Sequence, residues 1–137
     1  MAVYTVATPT VSINAIAMTA YVKDVSLTYE ADELDSTTAG GAGSKTAIAG
    51  LKSWKVEMTL LQDFANNTVD SYLFALVGAA AFPVLVRPSS AAKGVDNPEY
   101  SGNCILTSYP PMSGGVGELA SVKITLRGTG ALSRLTA

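Results

Sequence analysis

The acidic segment Glu30–Asp35 holds the side chains whose type and spacing could best do chemistry in this chain. Carboxylates as close as Asp32, Glu33 and Asp35 could serve as a general acid and base, or could hold a calcium ion. Leu34 interrupts them, however, and their spacing is not that of an EF-hand calcium loop. We therefore favour a solvated acidic corner, followed by a charge cluster at an interface or lining a lumen. A metal or catalytic site ranks last.

Residue types that common enzymes require are missing. The chain contains no histidine, which excludes Ser-His-Asp and Cys-His arrangements and metal sites with histidine ligands. The single cysteine, Cys104, excludes a disulfide within the chain and is most simply a small apolar residue of a strand. The glycine run from Gly40 to Lys45 lacks the spacing of a phosphate-binding loop. We therefore expect neither enzymatic activity nor a bound cofactor or metal.

Charged side chains are scarce. They make up 15% of the 137 residues, against roughly 25% in an average soluble domain. Such a surface indicates burial in an assembly, because a contact that buries few charges has a small desolvation cost. The net charge is −2 and the basic residues are scattered along the chain, so we expect no tight binding of nucleic acid.

Two strands with strictly alternating side chains flank the acidic segment and the glycine run. The apolar members are Val25, Leu27 and Tyr29 in the first strand and Trp54, Val56, Met58 and Leu60 in the second. A period of two is typical of strands with one buried face, so Tyr29 and Trp54 are predicted to pack in the core. An exposed sugar-stacking platform is the alternative. About twenty residues lie between the strands, and a loop of that length usually binds something or is disordered.

The remaining pattern predicts a single mainly-β domain over residues 1–137. We expect a β-sandwich or flattened barrel of about seven to eight strands, with one short flanking α-helix and the long inter-strand loop. The helix is predicted over Val69–Val77, because Thr68 provides N-cap chemistry and Gly78 a C-terminal stop. Besides the two long strands, we predict strands at Ser12–Ile16, Phe82–Arg87, Tyr100–Tyr109, Ala120–Arg127 and Ala131–Thr136.

The first ten residues, Met1–Thr10, are predicted to form an extended arm, because Pro9 interrupts a sequence that otherwise favours a strand. They lack the basic start and long apolar core of a secretory signal. The longest uncharged run, Ser71–Val86, is too short to span a bilayer. We expect a soluble product made in a reducing cytoplasm.

Several segments carry a resemblance to a known family. The run Tyr29–Thr38, the glycines after it and Gly50–Trp54 resemble the tail tube proteins of long-tailed bacteriophages with non-contractile tails. The later segments Asp96–Gly102 and Gly117–Ala120 follow in the same order, so that the resemblance covers most of the chain, from about Val22 to Thr136. One departure is Ala39, where such sequences often place an aromatic residue before the glycine.

This resemblance implies subunits that assemble into hexameric rings. Stacked rings would form a hollow tube around the tape-measure protein, and genomic DNA would later pass through without tight binding. Further implied partners are the tail terminator and distal tail proteins, with no membrane. The implied location is the virion tail, assembled in the cytoplasm of a bacterial host.

The resemblance also implies contact residues. The loop Asp35–Ile48 would reach an adjacent ring, and the arm Met1–Thr10 would add further contacts. The predicted contact residues are Ser36, Thr37, Thr38, Ala39, Gly40, Gly41, Ala42, Gly43, Ser44 and Lys45 in the loop, and Val3, Tyr4 and Thr5 in the arm. The acids Glu30, Asp32, Glu33 and Asp35 would face the lumen or an interface.

Two other functions fit the sequence. One is a monomeric β-sandwich binding module, for example for carbohydrate, which would show an exposed aromatic patch. The other is the inner-tube protein of a contractile tail-like particle, which shares the architecture but requires a sheath partner.

Overall fold

A single antiparallel sheet dominates the computed structural model, which describes residues 8–41 and 43–136. Its strands are β1 (Thr10–Ile13), β2 (Ile16–Ala17), β3 (Val22–Asp35), β4 (Ala47–Leu61), β5 (Phe82–Arg87), β6 (Glu99–Leu106) and β7 (Ser121–Leu135). One helix, α1 (Val69–Leu76), and two short 3-10 turns, Thr19–Tyr21 and Ala39–Gly41, complete the regular elements of this part of the chain. The mainly-β class, the strand number and the single short helix are therefore confirmed.

The strand order across the sheet is β2-β1-β5-β6-β7-β4-β3. Strands β2 and β3 are its two edges, and no ladder joins them among the described residues, so the predicted barrel is not closed. The seven strands also belong to one sheet rather than to the two sheets of a sandwich. Of the predicted arm, residues 1–7 lie outside the described residues, and with them Val3, Tyr4 and Thr5. Ala42 also lies outside them.

The core sits on one face of this sheet. Buried side chains of β1, β4, β5, β6 and β7 form one cluster with three residues of the helix, Val69, Leu73 and Leu76. On β4 the alternation works as predicted, because Val56, Met58 and Leu60 are almost completely buried while the residues between them are partly exposed. Within the described residues, no helix is long and apolar enough to cross a membrane.

Residues at its two ends explain where the helix begins and where it stops. The backbone N–H of Thr68, the N-cap residue, donates to the Ser71 hydroxyl at 3.0 Å, and Asp70 lies in the first turn, where the helix dipole favours a negative charge. At the other end Gly78 adopts a φ of +73°, which is unfavourable for other residues. The predicted helix is thus confirmed, although it ends at Leu76, one residue earlier than expected.

Four strand predictions were wrong in their boundaries. The strand predicted at Tyr100–Tyr109 is β6, which ends at Leu106. The predicted strand Ser12–Ile16 is interrupted by Asn14 and Ala15, whose φ angles of +52° and +65° make the tight turn between β1 and β2. The two predicted C-terminal strands are one continuous strand, β7, because the residues between them also pair with β6.

A tryptophan ring explains why β6 and β7 contain glycines. The Trp54 ring is 5% exposed, and its Nε1 donates to the Gly130 carbonyl at 3.2 Å. A Cβ added at Gly102 would lie 2.6 Å from the ring, and one at Gly128 would also lie well inside the 3.0 Å limit of real contacts. The two glycines therefore leave the space that the ring occupies, as is common where another group approaches a strand closely. The predicted core position of Trp54 is confirmed.

The thiol of Cys104 should be unreactive in the folded protein. The residue is fully buried on β6, its Sγ donates to the Phe82 carbonyl at 3.5 Å, and burial raises its pKa to about 12. Thiolate is the reactive form, so we expect no labelling by a disulfide reagent at pH 8 and complete labelling in denaturant. Rapid labelling of the native protein would contradict the buried position.

Candidate functional site

The most unusual element is the long hairpin formed by β3 and β4. The two strands pair from Val22 opposite Leu60 to Asp35 opposite Ala47. Strand β7, however, pairs with β4 only along its inner half, Lys55–Leu61. Residues 30–53, which we call the hairpin arm, therefore extend beyond the rest of the sheet as a two-stranded ribbon. At about 3.3 Å per residue, the paired part of the arm is about 20 Å long.

This geometry corrects the sequence-based description of the segment. The predicted loop was about twenty residues long, whereas the unpaired connection comprises residues 36–46 only. Asp35 and Ile48, the predicted ends of the inter-subunit loop, are strand residues. The acidic segment Glu30–Asp35 is likewise not a corner but the outer half of β3. Because its side chains alternate between the two faces of a ribbon, the acids are spread out, and no metal-binding cluster of acids is found in the described part of the chain.

Apolar side chains are exposed along the arm. Leu34 and Ile48 lie opposite each other in register, hence on the same face, and are 50% and 58% exposed. Leu51 is 82% exposed. Gly50 and Asp32 share the face of Leu34, since a Cβ at Gly50 would contact both Leu34 and Asp32 at 3.2–3.3 Å. The arm thus combines apolar and acidic side chains on one narrow surface.

The prediction that Tyr29 packs in the core was wrong, because its side chain is 51% exposed. Tyr29 lies directly opposite Trp54 and on the same face. Trp54 is covered because the backbones of β6 and β7 lie against it, whereas Tyr29 is on the edge strand β3. The face that forms the core under β4 therefore continues outward to Tyr29, where the described residues leave it half exposed.

Hydrogen bonds among Asp35, Ser36, Thr37 and Thr46 organise the tip of the arm at the point where the two strands end. The Thr37 hydroxyl accepts from the Thr46 N–H at 2.9 Å, and the Ser36 hydroxyl donates to Thr46 Oγ1 at 3.0 Å. The Asp35 carboxylate accepts from the Thr37 N–H at 2.8 Å. Hydrogen bonding to the Thr37 side chain, and then to its backbone, holds the pKa of Asp35 below its ordinary value.

The described contact residues of the loop, 36–41 and 43–45, lie together at this tip. Residues 36–41 and 43–45 are exposed, apart from Ser36 and Gly41, which are half-buried. The 3-10 turn Ala39–Gly41 closes with bonds from the Gly41 N–H to the Thr38 carbonyl and from the Ser44 N–H to the Gly41 carbonyl, both 3.1 Å. The structure thus places these residues on one projecting surface.

Sequence reasoning missed a groove at the base of the arm. It has a volume of about 530 Å³ and a mainly apolar lining. One wall is formed by the inward side chains of β3, and the other by residues of β5, β6 and β7. The lining includes Val25, Leu27, Tyr29, Val86, Tyr100 and Leu132, together with Arg87 and Arg134. These residues come from four strands that are distant in sequence, so no local pattern marks the groove.

The chain matches known proteins by its fold and not by its sequence. No protein-family model and no curated protein sequence matches the chain. A chain from the virion of a native gene transfer agent particle is 16% identical, with a TM-score of 0.75 over 94% of this chain and 96% of that chain. A chain from the tail of an empty gene transfer agent particle with C6 symmetry is also 16% identical, with a TM-score of 0.67 over 85% and 83% of the two chains.

A third neighbour comes from the PVC extracellular contractile injection system, in its sheath/tube terminator in the extended state. It is 14% identical, with a TM-score of 0.74 over 99% of both chains. This chain has the tail tube fold. The resemblance seen in the sequence is thereby supported by the fold, over nearly the whole chain. Because the neighbours include both a gene transfer agent and a contractile system, the restriction to non-contractile tails stays a prediction.

Proposed function

We propose that this chain is a structural subunit of a tail tube, with copies forming hexameric rings that stack around a channel. The observation that carries the proposal is the tail tube fold, matched over 94% of the chain to a virion protein. Six-fold rings are supported by the neighbour from a tail with C6 symmetry. The role is structural rather than enzymatic.

The hairpin arm is the proposed inter-subunit contact. A two-stranded hairpin alone is marginally stable in water, and exposed apolar patches mark interaction sites. Leu34 and Ile48 are exposed on one face of the arm, and Leu51 is a further exposed apolar residue of the arm. The tip residues 36–45 would then contact an adjacent ring, and the acids Glu30, Asp32, Glu33 and Asp35 would lie at an interface or the lumen. Ring stacking joins two different surfaces of each subunit, so growth along the axis can continue.

The remaining partners follow from this role. The channel would hold a tape-measure protein and later pass genomic DNA, which the net charge of −2 would not retain. A tail terminator and distal tail proteins would cap the two ends. The predicted N-terminal arm, Met1–Thr10, which includes Val3, Tyr4 and Thr5, would add contacts between subunits. The subunit would be assembled in the cytoplasm of a bacterial host and located in the virion tail.

Electron microscopy of the purified protein tests this proposal. We expect negative-stain images of the concentrated protein to show six-fold rings and tubes of constant diameter, and light scattering to show growth with concentration. A monomer at every concentration up to the millimolar range, combined with binding to a carbohydrate array, would instead support the binding-module alternative. The buried Trp54 argues against that alternative, because it removes one of the two aromatic residues considered for a sugar platform.

A second candidate is the inner tube of a contractile tail-like particle. The likeness to a chain from a contractile injection system, with a TM-score of 0.74, favours it. Both candidates predict a tube, but only the contractile particle has a sheath around it. Mass spectrometry of particles that contain this chain would separate the two by the presence or absence of a sheath protein in stoichiometric amount.

A further inference from the structure

We propose that the groove at the base of the hairpin arm receives the acidic hairpin arm of a second copy of this chain. The proposal rests on the proposed tube function and names the surface that accepts the arm. It assigns Arg87 and Arg134 as the residues that recognise the arm's carboxylates, and the apolar lining of the groove as the surface that covers Leu34 and Ile48.

Within residues 8–41 and 43–136, the two arginines of the groove have no ion-pair partner. The Arg87 Nε is buried and has no hydrogen-bond partner among the described residues. The ion pairs of the described part are Lys55–Glu57 and Lys93–Glu99, and neither involves Arg87 or Arg134. A buried N–H without an acceptor is unfavourable. A carboxylate bound in the groove would therefore bring an acceptor to a side chain whose Nε has none among the described residues.

The arm offers matching chemistry. Four of the eleven acidic residues of the chain fall within Glu30–Asp35. Asp32 shares a face with Leu34 and Ile48, so one surface carries a carboxylate beside two exposed apolar side chains. The groove carries two arginines beside an apolar lining. Arginine binds carboxylates through paired hydrogen bonds, which adds orientation to the charge attraction.

A chain cannot fill its own groove with its own arm. The arm begins at Glu30, directly after Tyr29, which lines the groove, and it runs outward as a paired ribbon about 20 Å long. Folding it back would break the ladder between β3 and β4. The arm in the groove must therefore come from another copy, and the contact joins the arm of one subunit to the base of the next. Such a head-to-tail contact can repeat through a ring or along a tube.

Charge reversal on the two surfaces tests the pairing. Arg134→Glu changes the groove, and Asp32→Lys changes the arm; both side chains are exposed, so both variants should fold. Each variant alone should raise the concentration needed for assembly at least about tenfold, because like charges would then face each other. An equimolar mixture should assemble like the wild type, because each variant arm then meets a groove of opposite charge. The double variant should also assemble.

Lys123→Glu is the matched control. It makes the same charge change on the same strand, β7, outside the groove, and should assemble like the wild type. Circular dichroism and protection of the Cys104 thiol report folding in every sample. Normal tubes from Arg134→Glu, or no rescue in the mixture and the double variant, would overturn the pairing while leaving the tube function in place. A wild-type protein that stays monomeric would overturn both, whereas salt-sensitive chains of subunits without tubes would support the pairing alone.

Discussion

Replacing residues 37–45 at the tip of the hairpin arm with Asn-Gly abolishes tube formation but leaves a folded monomer. Asn-Gly favours the two-residue turn that can join Ser36 to Thr46, whose backbones already pair through the Ser36 N–H and the Thr46 carbonyl at 3.0 Å. The strands of the arm therefore keep their register. What is lost is the exposed tip that we propose to contact a neighbouring ring. Because a few residues carry most of the energy of an interface, we expect assembly to weaken about 100-fold or more.

Sedimentation and negative-stain microscopy across a concentration series measure this effect. Fluorescence of Trp54, which is buried beside the base of the arm, reports whether the sheet remains intact. The control is Gly94→Ala, which lies outside the arm and introduces a Cβ with no atom within 4 Å; it should assemble normally. Tubes of normal yield and diameter from the shortened arm would show that the tip makes no essential contact.

Gly128→Ala should destabilise the protein more than any other single substitution of a glycine by alanine. The new Cβ would overlap the inner atoms of the Trp54 ring, and this ring cannot move away because it is enclosed and its Nε1 donates to the Gly130 carbonyl. Overpacking a core typically costs about 1–3 kcal/mol and occasionally more. We expect a loss of about 3 kcal/mol in the free energy of unfolding, a large fraction of the total of a small domain.

Urea denaturation, followed by circular dichroism, measures this loss. Gly94→Ala is the control, since the added Cβ meets nothing within 4 Å there, and its unfolding midpoint should match the wild type. Combining Gly128→Ala with Trp54→Leu tests the cause. If the clash with the ring is responsible, the effects of the two substitutions will be strongly non-additive. A Gly128→Ala midpoint equal to that of the wild type would refute the close packing of the ring.

Elements specified by neighbouring residues were predicted well. The helix at residues 69–76 follows from a cap at Thr68, an apolar face and a stop at Gly78, all within ten residues. The buried face of β4 follows from a period of two in the sequence. The absence of histidine excluded Ser-His-Asp and Cys-His arrangements and metal sites with histidine ligands without reference to any structure. The tail tube resemblance also came from the sequence, and the fold supports it.

Features that depend on distant residues were not predictable from the sequence pattern. Tyr29 and Trp54 occupy equivalent positions in two alternating strands, yet one is half exposed and the other buried. The difference arises because the backbones of β6 and β7 lie against Trp54, whereas Tyr29 is on the edge strand β3. Gly128 fell between two strands predicted separately, whereas its missing side chain leaves space for a ring that lies more than seventy residues earlier.

The sequence by itself determined the local elements of this protein, its mainly-β class, its low charge and the position of its acidic segment. Only the tertiary structure decided that this segment is the outer half of a projecting ribbon, and that an apolar groove with two arginines lies at the ribbon's base. The physical reason is that alternation and capping act between residues a few positions apart. Exposure, grooves and unpaired charges depend instead on which distant strands become neighbours, and the order of strands in the sheet sets that.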